Sequence, residues 1–439
     1  MKKRLVFGWL LILFLMAAIG SAQQPPARTL SLAEALDLAR RNNPGLLSAA
    51  NDRWAAAWQV RSTTLSLVTP NAAVSGSWYA SEAGQRSFFG QLIRIPGVRQ
   101  TSYEFGLSYQ FSGISLTQRG QASAMLRAVE EDIAGARTTL ETTVRGQYLT
   151  VLSQQALRDI AQRSVERATE NLALAQARYS VGQGTLIDVR RAEVEKGQAE
   201  VTLLQAEQAV ENQILVLFQQ LGVPAPPGST VVLTDSFPVT EPRWELSDLV
   251  RQALEENPGL RSLRARQSAA RWNTRAAYSR YLPSLSLSAG TGRVSTRADT
   301  ANAVSQRQTT PWSISLSVSL PIYDGFGRQV QAAEARAAED DLRLAVRGRE
   351  LAIAAQVTAA FNTLQASYRS IDIQRRNRDA SAEALELATQ RYRVGSGSYL
   401  ELLDARVAAE RAAADYVRAV YDYHRAIADL ENAVGRPLR

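Results

Sequence analysis

Two kinds of hydrophobic spacing alternate along this chain of 439 residues. In one kind, apolar residues recur three and four positions apart, as in a coiled coil; they are Leu126, Val129, Ile133, Leu140, Val144, Tyr148 and Val151, and then Leu203, Val210, Ile214, Leu217 and Leu221. No proline falls between Pro96 and Pro224, or between Pro321 and Pro437, so nothing in these stretches forbids a helix. The spacing predicts long helices in both stretches.

Each helical stretch is interrupted once by two glycines one residue apart, at 181–184 and at 394–397. Both pairs follow an Arg-Tyr step, and together they predict a helix end and a chain reversal. Each stretch is therefore predicted to hold a long helix, a tight turn and a shorter returning helix, with a separate helix supplying the remaining length. The predicted helices are 119–180, 185–221 and 44–69 in the first half, and 326–393, 398–434 and 258–282 in the second.

In the second kind of spacing the period is two. Residues 313–320 alternate strictly between serine and aliphatic residues, and residues 103–111 alternate aromatic or aliphatic residues with polar ones or glycine. Together with their partners, the predicted strands are about 71–80, 101–112, 284–294 and 313–323. Alternation over about ten residues is typical of a tilted transmembrane strand, although a soluble hairpin with one buried face has the same pattern.

Four strands are too few to close a membrane barrel, since the smallest such barrels have about eight. An open sheet edge is not tolerated in lipid because its backbone groups have no hydrogen-bond partner there. If these strands span a membrane, several subunits must contribute to one barrel, and three subunits would supply twelve strands.

The chain is also an internal duplication. Asn43-Pro44-Gly45-Leu46 recurs 214 positions later, as does Trp58 at Trp272, and the Arg-Tyr-x-Val-Gly-x-Gly turns recur at an offset of 213. The predicted domains are a signal peptide at 1–22, a first repeat at 23–223, a proline-rich linker at 224–243 and a second repeat at 244–437. The signal peptide is predicted from a basic start, an apolar run and small residues up to Ala22.

Composition narrows the function further. The net charge is +8, but the arginines alternate with acids along the helices, so no one-sided basic patch predicts nucleic-acid binding. Cysteine is absent and histidine occurs once, so neither a disulfide framework nor a zinc site is expected. No motif for nucleophilic, nucleotide or dinucleotide chemistry occurs. The sequence predicts a protein that is not an enzyme and has no cofactor.

Several local patterns resemble the TolC-like outer membrane efflux family over essentially the whole of both repeats. They are the Asn-Pro pairs at 43–44 and 257–258, the Pro-Ile-Tyr-Asp-Gly segment at 321–325, the two Val-Gly turns, and the acidic-aliphatic steps Asp188-Val189 and Glu401-Leu402. The resemblance implies a homotrimer with a twelve-stranded barrel in outer membrane lipid and a long helical tunnel in the periplasm. It also implies docking onto a periplasmic adaptor protein and an inner-membrane transporter, in a tripartite efflux or type I secretion system.

The resemblance also implies roles for particular residues. Glu401 and Asp404 lie one helical turn apart and align with the acids that narrow the family's pore. Asp188 and Tyr392 match a pair that holds the periplasmic tip closed. The turns expected to contact the adaptor consist of Val181, Gly182, Gln183, Val394, Gly395 and Ser396. Glu401 and Asp404 could instead be ordinary surface acids paired with Arg393 or Arg406. The glycines of the two turns could be present only to permit the reversal.

Two other functions fit parts of the pattern. A periplasmic adaptor (membrane fusion) protein also contains helical hairpins, but it would have a single hairpin flanked by lipoyl-like and barrel domains. A soluble coiled-coil scaffold would leave the alternating strands unexplained. The fold class that accounts for both spacings is mainly α with β: tandem long helical hairpins plus four transmembrane strands per chain.

Overall fold

A computed structural model describes residues 28–225, 231–298 and 306–438, most of them helical. The predicted signal peptide at 1–22 lies outside these residues. The chain divides into two compact units. The first comprises the described parts of Met1–Pro44, Thr139–Arg243 and Ala360–Glu431, and the second comprises the described parts of Gly45–Thr138, Trp244–Ala359 and Asn432–Arg439.

Eight helices and eight strands are present in the described part of the chain. The helices are α1 (Leu32–Asn42), α2 (Pro44–Leu65), α3 (Gly113–Ser180), α4 (Leu186–Leu221), α5 (Leu246–Glu256), α6 (Pro258–Ser279), α7 (Gly327–Arg393) and α8 (Tyr399–Val434). The strands are β1 (Arg28–Leu30), β2 (Asn71–Ser81), β3 (Gly84–Phe88), β4 (Gln91–Ile95), β5 (Val98–Phe111), β6 (Val231–Leu233), β7 (Ser284–Ala298) and β8 (Gln306–Ser319).

The long proline-free stretches form the helical hairpins α3–α4 and α7–α8. Two helices end before their predicted limits: α2 ends at Leu65 and not at 69, and α6 ends at Ser279 and not at 282. On α3, Val144, Tyr148 and Val151 are fully buried and cluster with Leu217 and Leu221 of α4, as the three-and-four spacing predicts.

Within the first unit, residues 231–237 at the end of the linker lie against the helices. β6 pairs in parallel with β1, and the Asp235 carboxylate accepts hydrogen bonds from the Leu32 N–H (2.5 Å) and the Tyr148 hydroxyl (2.9 Å). Burial and this carboxylate contact raise the pKa of Tyr148 above its usual range. Further along, at Phe237, the buried His424 lies with its Nε2 3.0 Å from the Phe237 carbonyl and with its ring against the rings of Phe237 and Tyr423.

Within the second unit, the order of the main sheet is β2-β5-β7-β8, and every neighbouring pair is antiparallel. Residues paired across the strands share one face of the sheet. Leu107, Ala289 and Ile314 form one row, and Tyr109, Leu287 and Leu316 form the next. The opposite face carries rows of polar residues, such as Ser108, Ser288 and Ser315. Along these rows the sheet has one apolar and one polar face, and β2 and β8 are its two edges.

The segment that connects β2 to β5 in the sequence forms a separate hairpin, β3–β4. No helix in the described part of the chain is both long and apolar enough to span a bilayer.

Candidate functional site

The two helix reversals in the first unit have the same backbone geometry. Gly182 and Gly395 have φ angles of 74° and 81°, in the left-handed region that glycine adopts without strain. In the first turn the Gln183 N–H donates to the Arg178 carbonyl at 2.9 Å. In the second turn the Ser396 N–H donates to the Arg391 carbonyl, also at 2.9 Å. This six-residue hydrogen bond is the Schellman motif, which ends a helix by satisfying its last carbonyls.

The arginine that begins each motif also binds its own turn through the side chain. Arg178 Nη2 donates to the Gln183 carbonyl (3.0 Å), and Arg391 Nη2 donates to the Ser396 carbonyl (3.4 Å). The remaining contacts of the two arginines differ. Arg391 pairs with Glu401 of its own hairpin, whereas Arg178 donates to the Tyr392 carbonyl and lies over the Tyr392 ring, 4.8 Å from its centroid. Arg178 thus ties the α3–α4 turn to the α7–α8 turn.

Under these turns lies a small apolar core. Tyr392 and Tyr399 are 3% exposed, and their rings meet edge to face with centroids 5.7 Å apart. Small and aliphatic residues of all four helices surround them: Ala175, Val189, Ala192, Ala388 and Leu402. The core fixes the two hairpin ends against each other within this unit.

A buried polar network continues from this core along α4 and α8. The Tyr399 hydroxyl donates to Glu195 Oε2 (2.5 Å), and Glu195 Oε1 lies 2.6 Å from Arg406 Nη1. The side chains of Arg406 and Glu195 are only 8% and 6% exposed. Because burial and the neighbouring carboxylate both disfavour a phenolate, the pKa of Tyr399 is raised above its usual range, and the hydroxyl remains a donor.

The network also reaches α3. Glu410 lies 3.8 Å from Arg406 Nη1 and accepts a hydrogen bond from the Ser164 hydroxyl at 2.7 Å. A buried ion pair with this many partners is costly to disrupt from one side, since the remaining charge is left without compensation.

The acids singled out from the sequence lie near this core but outside it. Glu401 is about half exposed and paired with Arg391, and Asp404 is exposed on the next turn of α8. Asp188 is the N3 residue of a capping box, in which its carboxylate accepts hydrogen bonds from the Thr185 hydroxyl (2.7 Å) and N–H (3.2 Å).

Tyr392, the expected partner of Asp188, is buried, and its hydroxyl has no hydrogen-bond partner among the described residues. Burial, followed by the nearby Asp188 charge, raises the pKa of Tyr392, and Arg178 opposes this effect. The hydrogen bond between Asp188 and Tyr392 stays a prediction.

Comparison with known proteins identifies the family. The sequence profile of the outer membrane efflux protein family matches residues 35–223 and 249–436. The chain belongs to the outer membrane efflux protein family. Outer membrane protein TolC of Vibrio cholerae is 24% identical over 400 residues, covering 90% of this chain and 88% of TolC. Protein CyaE of Bordetella pertussis is 28% identical over 396 residues, covering 87% of this chain and 80% of CyaE.

Solved structures show the same fold. The outer membrane channel CmeC of Campylobacter jejuni superposes with a TM-score of 0.76 at 19% identity, covering 92% of this chain and 85% of CmeC. VceC of Vibrio cholerae superposes with a TM-score of 0.74 at 18% identity, covering 93% of this chain and 97% of VceC. The efflux protein is therefore a channel of the outer membrane with its helical part in the periplasm, and members of this family are channels rather than enzymes. The adaptor and scaffold alternatives are wrong.

Sequence reasoning missed the buried network of this efflux protein, although a signal for it exists. At the repeat offset of 213, Glu195 corresponds to Ala408, Tyr399 to Leu186, and Glu410 to Gly197. These three polar residues thus have apolar or small counterparts in the other repeat, whereas Arg406 corresponds to Glu193 and so keeps a charged counterpart. A position where the two copies differ in this way indicates a contact that only one of them makes.

Proposed function

We propose that this efflux protein is the exit duct of a tripartite efflux or type I secretion system, and that it conducts substrates passively as a homotrimer. Three copies together form a twelve-stranded barrel in outer membrane lipid, and their long helices form the periplasmic tunnel. An adaptor protein joins the tunnel to an inner-membrane transporter.

The observation that carries this proposal is the two-faced sheet with two open edges. Its strand order places β2 at one edge and β8 at the other, so a single copy leaves two rows of unpaired backbone groups. Lipid does not tolerate such edges. Pairing of β8 in one copy with β2 in the next removes both edges, and three copies close a ring with the apolar face outward.

Native mass spectrometry of the detergent-solubilised protein tests this assembly. We expect trimers, because a membrane-inserted monomer would expose both sheet edges to lipid. A population consisting chiefly of monomers, with the circular dichroism signal of the strands intact, would contradict the proposal.

We propose further that Glu401 and Asp404 narrow the pore. Both acids lie on the first turns of α8, three residues apart and therefore on one face of that helix. In a trimer each becomes a ring of three carboxylates, and acidic rings favour cations and repel anions.

The double variant Glu401→Gln with Asp404→Asn is expected to lose cation preference, and its block by multivalent cations is expected to weaken, because both carboxylate rings become neutral. Single-channel recording in planar bilayers measures both quantities. Asp188→Asn provides the contrast: it is expected to open the tip by weakening the proposed contact with Tyr392 and to leave charge selectivity largely intact. Unchanged selectivity in the double variant would make the two acids ordinary surface residues.

The proposed adaptor contacts are the two turns, formed by Val181, Gly182, Gln183, Val394, Gly395 and Ser396. Val181 and Val394 support this assignment, because they expose 68% and 79% of their surface at the two helix reversals. Exposed apolar side chains on a rigid Schellman turn suit contact with another protein.

A further inference from the structure

The apolar face of the main sheet becomes positively charged at one end. β5 ends at Phe111, two residues before α3 begins, so Arg99 lies toward the end of the sheet that is away from the helices. Between them, the side chains of β5 on this face are Tyr109, Leu107, Phe105, Tyr103 and Thr101. The neighbouring strand β7 has the same order on the same face, from Leu285, Leu287 and Ala289 to Arg293 and Arg297.

Two of these arginines face each other across the strands. Arg99 of β5 lies directly opposite Arg297 of β7, and both are exposed. Neither side chain forms an ion pair or a hydrogen bond with any described residue. Glu82, one residue past the end of β2, pairs with neither of them, and Glu104 lies on the opposite face. Because like charges directly opposite each other destabilise a pair of strands, this arrangement favours a bound anion.

The length of β5 sets the depth of this arginine pair in a membrane. Phe111 and Arg99 are twelve residues apart, which is about 41 Å along a strand at about 3.4 Å per residue. A strand tilted by about 40° rises about 31 Å over that length, and the apolar band of a membrane barrel is about 25 Å tall. Trp78, which is 72% exposed in the row between Tyr103 and Arg99, then lies at the outer limit of the band, where aromatic girdles occur. The arginine pair lies just beyond it, at the level of the lipid headgroups.

The position of the pair in the sheet selects among possible occupants. β5 and β7 are the two inner strands of the four, so the pair is away from the edges through which a second copy joins the sheet. The pair also lies on the apolar side of the sheet, whereas a transported substrate passes along the polar side. The remaining occupant is a lipid with an anionic headgroup.

We propose that the Arg99–Arg297 pair binds a phosphate group of a lipid in the outer leaflet of the outer membrane. A guanidinium donates two parallel hydrogen bonds to phosphate oxygens, and two guanidiniums on adjacent strands hold one phosphate from two sides. Arg293 lies on the same face, four residues before Arg297, and its long side chain can extend outward to a second headgroup oxygen. The inference rests on the proposed barrel and names the class of lipid that surrounds its outer end.

The test uses the full protein in phosphatidylcholine vesicles that contain a minor fraction of lipid A, a glycolipid with two phosphates. After extraction into detergent, native mass spectrometry counts the lipid A molecules that each trimer retains. We expect the native protein to retain lipid A and not its dephosphorylated form. The double variant Arg99→Gln with Arg297→Gln is expected to retain lipid A about tenfold more weakly, because the charge-assisted hydrogen bonds to phosphate are lost.

A transposed variant provides the matched control. It combines Arg99→Gln and Arg297→Gln with Gln100→Arg and Thr296→Arg, two positions that lie opposite each other in the adjacent row, on the polar face. The net charge and the depth of the arginines are unchanged, and only the face differs. Retention of lipid A is therefore expected to stay as low as in the double variant. Retention equal to that of the native protein would show that charge alone attracts the lipid, and the site would be wrong.

The same spectra separate failure of this site from failure of the proposed assembly. If the native protein is trimeric but retains lipid A no better than its dephosphorylated form, or no better than the double variant does, the trimer stands and the lipid site is wrong. If the native protein forms no trimers, the lipid site fails together with the proposed barrel.

Discussion

Replacing Ile314 with arginine is expected to make folding into a bilayer less favourable by about 2–4 kcal/mol. This is the cost of a charge near the midplane on the lipid-facing side of a barrel. Ile314 lies near the middle of β8 and is 65% exposed in the single chain. It shares its face with Ala289 and Leu107. In the proposed trimer this face meets lipid.

The adjacent residue provides the control. Ser315 lies on the opposite face, in a row with Ser288 and Ser108, so Ser315→Arg should point into a water-filled lumen and have a much smaller effect. Urea titration of folding into lipid vesicles, followed by the heat-dependent shift in gel mobility, measures both variants. Equal losses would show that the lipid-facing and lumen-facing sides are assigned wrongly.

Replacing Glu195 with alanine is expected to destabilise the periplasmic hairpins by about 3–5 kcal/mol, because it leaves the buried Arg406 guanidinium without its closest countercharge. The two side chains lie 2.6 Å apart and are almost fully buried, and Glu410 is farther from Arg406, at 3.8 Å. The Tyr399 hydroxyl would also lose its acceptor. Chemical denaturation followed by helical circular dichroism measures the change.

Two further variants separate this explanation from a general sensitivity of α4. Glu193→Ala also removes a carboxylate from α4. The partner of Glu193, Arg190, is exposed, so the loss of stability should be far smaller. Glu195→Leu combined with Arg406→Met removes both charges and should recover most of the lost stability, as replacement of buried ion pairs by apolar residues often does. A Glu195→Ala variant no less stable than Glu193→Ala would rule out a structural role for the network.

The faces of the sheet could be predicted from sequence because they depend on a local rule. Side chains alternate between the two sides of a strand, so the serine-aliphatic alternation at 313–320 assigns each residue a side before any pairing is known. The order β2-β5-β7-β8 could not be predicted in this way. It depends on β5 of one repeat pairing with β7 of the other, a contact distant in sequence.

The tip of the helical hairpins shows the same division. Two glycines after an Arg-Tyr step are enough to predict both reversals, since a Schellman turn requires a left-handed residue and glycine adopts that conformation without strain. The arginines of these steps received no role from the sequence, although Arg178 joins the two turns. The sequence also could not distinguish Tyr392, which is buried, from its repeat counterpart Tyr179, which is 48% exposed.

The duplication, the helices, the strand faces and the turns can be predicted from the residues alone, and the family resemblance adds the role of an outer membrane channel. These features follow from periodicity and backbone preference within a few turns or a single strand. The contacts of Asp235 and the buried Tyr399–Glu195–Arg406 network become visible in the folded chain alone, because each brings together residues about 90 to 200 positions apart. Local patterns carry no information about which distant helix a buried polar side chain will meet, and that choice is made by packing.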